Sequence, residues 1–128
     1  MSAAVDPAAV VESFVKAYNE QDFGGMRAAL ADNVSFSHYN RGFGFQSADE
    51  FGATLRAFAQ DYLPDRQLGA AIRVGVVGDR VYREQMWTGT LAVDLPGFGS
   101  AGEAVSQRLC SVFTVGPEGT IVEYLDYG

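Results

Sequence analysis

The hydrophobic period of this chain shifts from helical to strand-like about halfway along, and that shift limits the folds open to it. Up to about residue 63 the apolar residues recur at spacings of three and four, interrupted by one alternating segment, NVSFSHYN. From Gln67 onward the pattern is strand and turn throughout. Helices first and antiparallel strands afterwards imply an α+β fold with the helices on one face of a sheet.

Asp6 and Pro7 form a cap and first-turn pair. Val11, Phe14, Val15 and Tyr18 follow as one stripe, so a helix is expected over residues 7–20. Asp22 can cap a second, shorter helix with Phe23, Met26 and Leu30 as its buried stripe, closing near Asp32–Asn33. In NVSFSHYN, Val34, Phe36 and His38 share one face of a strand, and Ser35, Ser37 and Tyr39 the other. RGFGFQ reads as a loop. Ser47 and Glu50 make a capping box for a third helix, whose buried face is Phe51, Leu55, Phe58 and Tyr62 and which Pro64 ends. AAIRVGVV and RVYREQMWTGTLAV flank a turn at Gly78–Asp79, and DLPGFGSAG is a longer loop before EAVSQRLCSVFTV. A turn over Gly116–Gly119 leads to the last strand.

The expected order is therefore α-α-β-α-β-β-β-β in a single domain, 1–128. Three helices cannot cover both sides of five strands. The arrangement that hides most apolar surface is a sheet curled around the helices, a cone with a pocket at its wide end and an outer face that is exposed or paired with a second subunit. Gly75 and Gly89 would ease the bending.

Composition narrows the partners. Nine basic and sixteen acidic residues give a net charge of -7 without any run of Lys or Arg, which argues against nucleic acid and anionic membranes. With one cysteine, Cys110, and one histidine, His38, the chain has no internal disulfide framework and no zinc site of those residue types. Neither a metal nor a cofactor is expected. The opening MSAAVDPAAVV carries no basic segment followed by an apolar core, so a cytoplasmic location is expected. Cys110 has no visible activating partner and reads as a small buried hydrophobe.

One residue stands out against this background. Asp126 lies inside TIVEYLDYG, an otherwise apolar and aromatic strand, where a carboxylate is costly to desolvate unless it is hydrogen-bonded or opens onto a cavity. It shares a face with Tyr124, while Glu123, Leu125 and Tyr127 lie on the other. Either apolar walls raise its pKa and make it a base for a carbon acid, or a backbone amide or an arginine holds it in place.

The segments AVVESFVKAYNEQDFGGMRAALADNVSF, GDRVYREQMWTGTLAVDLPG and SVFTVGPEGTIVEYLDYG together resemble the nuclear-transport-factor-2-like superfamily, and within it the SnoaL-like polyketide cyclases. The resemblance implies a cone-shaped α+β barrel, a homodimer through the outer face of the sheet, and a pocket for a small hydrophobic carbonyl compound. In SnoaL-like cyclases an aspartate of the last strand is the general base, and Asp126 occupies the matching place. In the related ketosteroid isomerases the base is an acid ending the first strand, where this chain has His38; their oxyanion donors correspond to Phe14 and Ser111. Limonene epoxide hydrolases share the fold and need an inward aspartate–arginine–aspartate set, whereas strand alternation places Arg83 and Arg108 opposite the pocket.

On this reading Asp126 and His38 are the catalytic candidates. Tyr124, Tyr18, Phe14, Phe36, Phe58 and Ser111 are candidates for binding substrate, and the resemblance adds Glu84 and Met86 by turning the Tyr82, Glu84, Met86 and Thr88 face inward. Trp87, on the opposite face, would pack an interface. Each has a plainer alternative: Glu84 as a cross-strand partner of Arg108 or Arg73, and Tyr18 as a core ring with a satisfied hydroxyl. The activity implied is a cofactor-independent cyclase or isomerase reaction that begins by removing a proton beside a carbonyl. The alternatives are a dehydratase or hydrolase using His38 and a tyrosine, and a module that only binds a ligand or dimerises.

Overall fold

The computed structural model describes residues 5–39 and 42–128. Met1–Ala4, and Asn40 and Arg41 at the junction of the expected first strand and the following loop, lie outside the described residues. Helix α1 (Pro7–Asn19) starts where the Asp6 carboxylate accepts from the amides of Ala8 and Ala9, at 3.1 and 3.4 Å, satisfying donors that have no partner within the helix. Its stripe of Val11, Phe14, Val15 and Tyr18 is buried as expected. Gln21, in the left-handed region at φ 56°, turns the chain, and Asp22 then caps α2 (Phe23–Ala29) through the amide of Gly25 at 2.9 Å.

Helix α2 is shorter than its apolar spacing suggests. Leu30 already has an extended backbone and opens β1 (Leu30–His38). Leu30 is buried, and a leucine that ends a helical stripe and one that starts a strand leave the same mark in the sequence. RGFGFQ is likewise not all loop, because Phe43–Phe45 forms β2, antiparallel to β1 with Phe36 facing Phe45 and His38 facing Phe43. Helix α3 (Ala48–Ala57) has the expected cap, Ser47 Oγ accepting from the Glu50 amide at 3.1 Å. It continues as a π-helical turn, Phe58–Tyr62, ahead of Pro64.

Strands β3 (Gln67–Leu68), β4 (Arg73–Val77), β5 (Arg80–Thr90), β6 (Ala104–Val115) and β7 (Ile121–Tyr127) complete the molecule. The sheet runs β2-β1-β7-β6-β5-β3, with β4 also on β5. Among the described residues only β1 and β7 pair in parallel. The result is a curved, unclosed mixed sheet around the helices: α1 lies against β3, β5 and β6, and α3 against β1 and β2. Asn19 fastens the end of α1 to β3, its side-chain amide donating to the Leu68 carbonyl and accepting from the Leu68 amide, both at 2.8 Å. Among the described residues no helix is long and apolar enough to cross a membrane.

The face of β5 that meets the helices is the reverse of the one expected. Val81, Arg83, Gln85 and Trp87 are buried, whereas Tyr82 and Thr88 are exposed and Glu84 and Met86 are half-buried. The register with β6 accounts for it. Residues directly opposite across an antiparallel pair share a face, and Val81, Arg83 and Trp87 lie opposite Phe113, Ser111 and Gln107. Arg83 therefore points inward and only Arg108 points outward, while Trp87 belongs to the core and not to an interface.

Gly89 has a packing role beyond bending. A Cβ there would lie 2.7 Å from Leu63 Cδ2 and 3.4 Å from Arg66 Cα, closer than close-packed neighbours allow. Gly89→Ala is expected to destabilise the fold by about 1–3 kcal/mol through overpacking, measured as a lower urea midpoint with an unchanged m-value.

Candidate active site

Strands β1 and β7 bring the two sequence-distant candidates side by side. Their parallel register pairs His38 with Asp126 and Phe36 with Tyr124, and neighbouring strands run about 4.8 Å apart. Both polar side chains are about nine-tenths buried, and both line one cavity of about 80 Å³ together with Tyr18, Tyr124, Phe36 and Phe58. The rest of the wall is largely aromatic or aliphatic, including Phe43, Phe45 and Phe51 on the β1 side and Trp87, Phe98 and Leu109 across from them.

Asp126 is the only carboxylate among the described lining residues. Ser111 Oγ donates to its Oδ1 at 2.5 Å. Burial raises the Asp126 pKa from the usual 3.8 to about 7, and the Ser111 hydrogen bond opposes the rise. The physical cause is that charge is poorly solvated among aromatic walls, so the neutral acid survives to near-neutral pH. Among the described residues neither a backbone amide nor an arginine side chain holds its carboxyl group directly, and the serine hydroxyl was not anticipated in that role.

Tyr18 combines two expectations. Its hydroxyl accepts from Trp87 Nε1 at 2.7 Å and its ring lies beneath the Arg66 guanidinium, 4.0 Å from centroid to Cζ. The residue packs in the core and also lines the cavity, and its hydroxyl, while accepting from Trp87, keeps its own proton to donate. Burial raises its pKa, and the Arg66 charge opposes the rise. Tyr124 is shifted further, well above the usual phenol value, first by burial and then by the neighbouring Asp126 carboxylate. Both phenols are thus hydrogen-bond donors across the physiological range.

Four candidates fall elsewhere. Phe14 is fully buried, edge-on to Tyr124 at 5.7 Å, and supports the cavity from behind. Ser111 does not line the cavity itself and reaches it through hydrogen bonds to Asp126 and Tyr124. Glu84 lies on the outer face and pairs with Arg73 and Arg108, at 3.1 and 2.7 Å, and Met86 shares that face. These two are corrections that follow from the register of β5. Cys110, also outside, is half-buried, and burial raises its thiol pKa. Gln107, Trp87 and the aromatic residues of β2 were missed. Gln107 was legible in principle, since it sits an even number of residues from Ser111 on one strand.

Among the described residues no cluster of His, Cys, Asp and Glu is arranged to hold a metal ion. Fold and site together define a small α+β protein with an apolar pocket in the concavity of its sheet and a carboxyl and an imidazole on one wall. The chain belongs to the SnoaL-like domain family, whose model matches residues 11–124. Its fold is similar to that of a "putative polyketide cyclase" from Xanthomonas campestris pv. campestris, with 23% identity and a TM-score of 0.81 over 95% of this chain and 89% of that one. A "putative polyketide cyclase" from Pseudomonas putida KT2440 gives 20% identity and 0.81 over 97% and 92%. An LEH-like epoxide hydrolase from M. tuberculosis gives 21% identity and 0.75 over 94% and 80%. No curated protein is significantly similar to the chain.

The raised pKa of Asp126 fixes a pH effect on stability. Because the folded value of about 7 lies above the unfolded one, the stability linked to Asp126 is complete below about pH 4 and is lost as pH rises through 7. Asp126→Asn removes that loss. It should unfold like the parent near pH 4 and be more stable at pH 8, by up to about 4 kcal/mol, as read from denaturant midpoints across pH.

Proposed function

We propose that the chain is a cofactor-independent acid–base enzyme of the SnoaL-like kind, acting on a compact, weakly polar carbonyl compound. Asp126 takes a proton from the carbon beside the carbonyl, and His38, with Tyr18 or Tyr124, hydrogen-bonds the oxygen on which the enolate charge appears. The pair of electrons left by the proton then attacks an acceptor within the same molecule in a cyclisation, or returns to a different carbon in an isomerisation. The single observation that carries the reading is the placement of Asp126, a carboxyl of pKa about 7 in an apolar cavity, beside His38 in register. A base of that strength is half ionised at neutral pH and far stronger than an ordinary aspartate.

The magnitudes restrict the substrate. General base catalysis contributes roughly 10²–10⁴-fold and one oxyanion donor on the order of 3 kcal/mol, which suffices for an already acidic carbon such as that of a 1,3-dicarbonyl. Proton exchange of such compounds in D₂O should rise with pH through about 7. It should fall by about 10²–10⁴-fold in Asp126→Asn, and equal rates in the two proteins exclude the base.

Epoxide or hydroxyl chemistry is the second reading, favoured by the inward position of Arg83. That arginine is bound to Glu12, Gln85 and the Gly69 carbonyl, and Asp126 has no carboxylate companion among the described lining residues. The proton for an opening epoxide would have to come from His38 or Tyr18, and turnover of epoxides but not of dicarbonyls would select this reading. A module that merely binds or dimerises has no need of a desolvated carboxyl and an imidazole on one wall.

The outer face of the sheet supports a homodimer. Tyr82, Val112 and Leu125 form an apolar row across β5, β6 and β7, and the exposed rings of Tyr39 and Tyr127 stack nearby at 4.8 Å. Sedimentation should find a dimer for the parent and a monomer for Leu125→Glu; a monomeric parent sinks the assignment.

A further inference from the structure

Behind Asp126 a line of buried polar side chains crosses the sheet from β7 to β5. Arg83, with 3% of its side chain exposed, donates through Nη1 to Gln85 Oε1 at 3.0 Å. Gln85 Nε2 donates to Ser111 Oγ at 3.1 Å, and Ser111 Oγ donates to Asp126 Oδ1. The far end of Arg83 is held by Glu12 Oε1 at 2.8 Å and the Gly69 carbonyl at 3.0 Å.

Chemistry alone sets the direction of this line. A guanidinium has no acceptor and no accessible neutral form, so the Gln85 atom that faces Arg83 must be the carbonyl oxygen. The amide NH₂ then faces Ser111 and occupies a lone pair of its hydroxyl. Ser111 has one proton, and of the two acceptors it meets, the Tyr124 hydroxyl and the Asp126 carboxyl, the ionised carboxylate is the stronger and takes it. Oδ1 is therefore an acceptor when the carboxyl is ionised, the state that acts as a base, and the oxygen left to gain a proton is Oδ2.

We infer that Arg83 and Gln85 are positioning residues that act through Ser111 on Asp126, fixing Oδ1 as a hydrogen-bond acceptor and assigning the substrate proton to Oδ2. This rests on the base role proposed for Asp126 and deepens it. The groups facing Asp126 are His38 from β1, Tyr124 from β7 itself and Tyr18 from α1, with Cys110 on the outer face of β6. Helix α3 presents Phe51, Thr54 and Leu55, none of which titrates. The line from Arg83 is thus the donor path to this carboxyl from the core side.

The test follows the ¹³C carboxyl resonance of Asp126 with pH, in protein labelled at aspartate and assigned with Asp126→Asn. In Gln85→Glu the new carboxylate still binds Arg83 but accepts the Ser111 proton, taking it from Asp126. The Asp126 midpoint should move up by about one pH unit or more, the size of one charge-assisted hydrogen bond. In a Ser111→Ala background the same change should then have little further effect, because the relay is already cut. An unmoved midpoint in Gln85→Glu, or an equal shift with and without Ser111, overturns the relay and leaves only the charge of the new glutamate. Should Gln85→Glu fail to fold, Gln85→Met takes its place: the relay requires an upward shift there, and an unmoved midpoint refutes it. The titration reads the relay without turnover, whereas exchange by Asp126→Asn reads the base, so either can fail alone.

Discussion

The register of β6 between β5 and β7 is the constraint on which the rest of the molecule depends. One strand sets Ser111 opposite Arg83 on one side and opposite Asp126 on the other. Since facing residues share a face of the sheet, a single alignment sends a guanidinium, a hydroxyl and a carboxyl to the concave side together. Two positions along, it sends Phe113 there, between Val81 and Tyr124. A slip of one residue would reverse the faces on the slipping strand, leaving Arg83 with no route to Asp126 and the aromatic rings of the core in water.

That arrangement is not the most stable one available to the chain. A carboxyl whose pKa sits near 7 opposes folding whenever it is ionised, and one serine hydroxyl only partly offsets the lost hydration. The buried arginine is better provided for, since three of its nitrogens are hydrogen-bonded. The asymmetry is informative: the cation is neutralised by Glu12 and fixed, whereas the anion is left under-solvated on the cavity side. Unfavourable burial is not confined to Asp126, since Arg66 is buried with Nε and Nη2 unpaired among the described residues; what sets Asp126 apart is that it lines the cavity and Arg66 does not.

The local signals were the legible ones. Caps at Asp6, Asp22 and Ser47 depend on neighbours a few residues away, and they appear where the sequence puts them. The inward turn of His38 and Phe36 was also legible, because β1 has one face that is plainly less polar; β7 carries a carboxylate on each face, and the inward side of Asp126 followed from the resemblance. Strand β5 offers no such contrast: one face carries Val81, Arg83, Gln85 and Trp87, the other Tyr82, Glu84, Met86 and Thr88. Each mixes two large apolar residues with polar ones, so alternation reveals the period but not its phase. The phase is set by pairing with β6 across the long DLPGFGSAG connection, and no local pattern encodes a register reached through a loop of that length. Leu30 and the Phe-Gly-Phe of β2 escaped for a related reason, their secondary structure being decided by partners distant in sequence.

The cavity itself divides into a part that holds the chemistry and a part that sets the size of what enters. Phe36 is stacked on Phe51 at 4.3 Å and meets Tyr124 edge-on at 5.1 Å, so the wall beside Asp126 is interlocked and resists change. About 80 Å³ is less than the roughly 150 Å³ that accommodates benzene. Any ring-sized substrate therefore needs room made elsewhere. The available places are Phe43, more than a third exposed on the three-residue edge strand β2, and Phe98, on the loop between β5 and β6 flanked by Gly97 and Gly99 in the left-handed region. Both belong to short or irregular segments, although Phe43 meets the rings of Phe36, His38 and Phe45, and Phe98 those of Phe58 and Trp87. The size of what the cavity admits can vary at that rim without loosening the rings that pack beside Asp126.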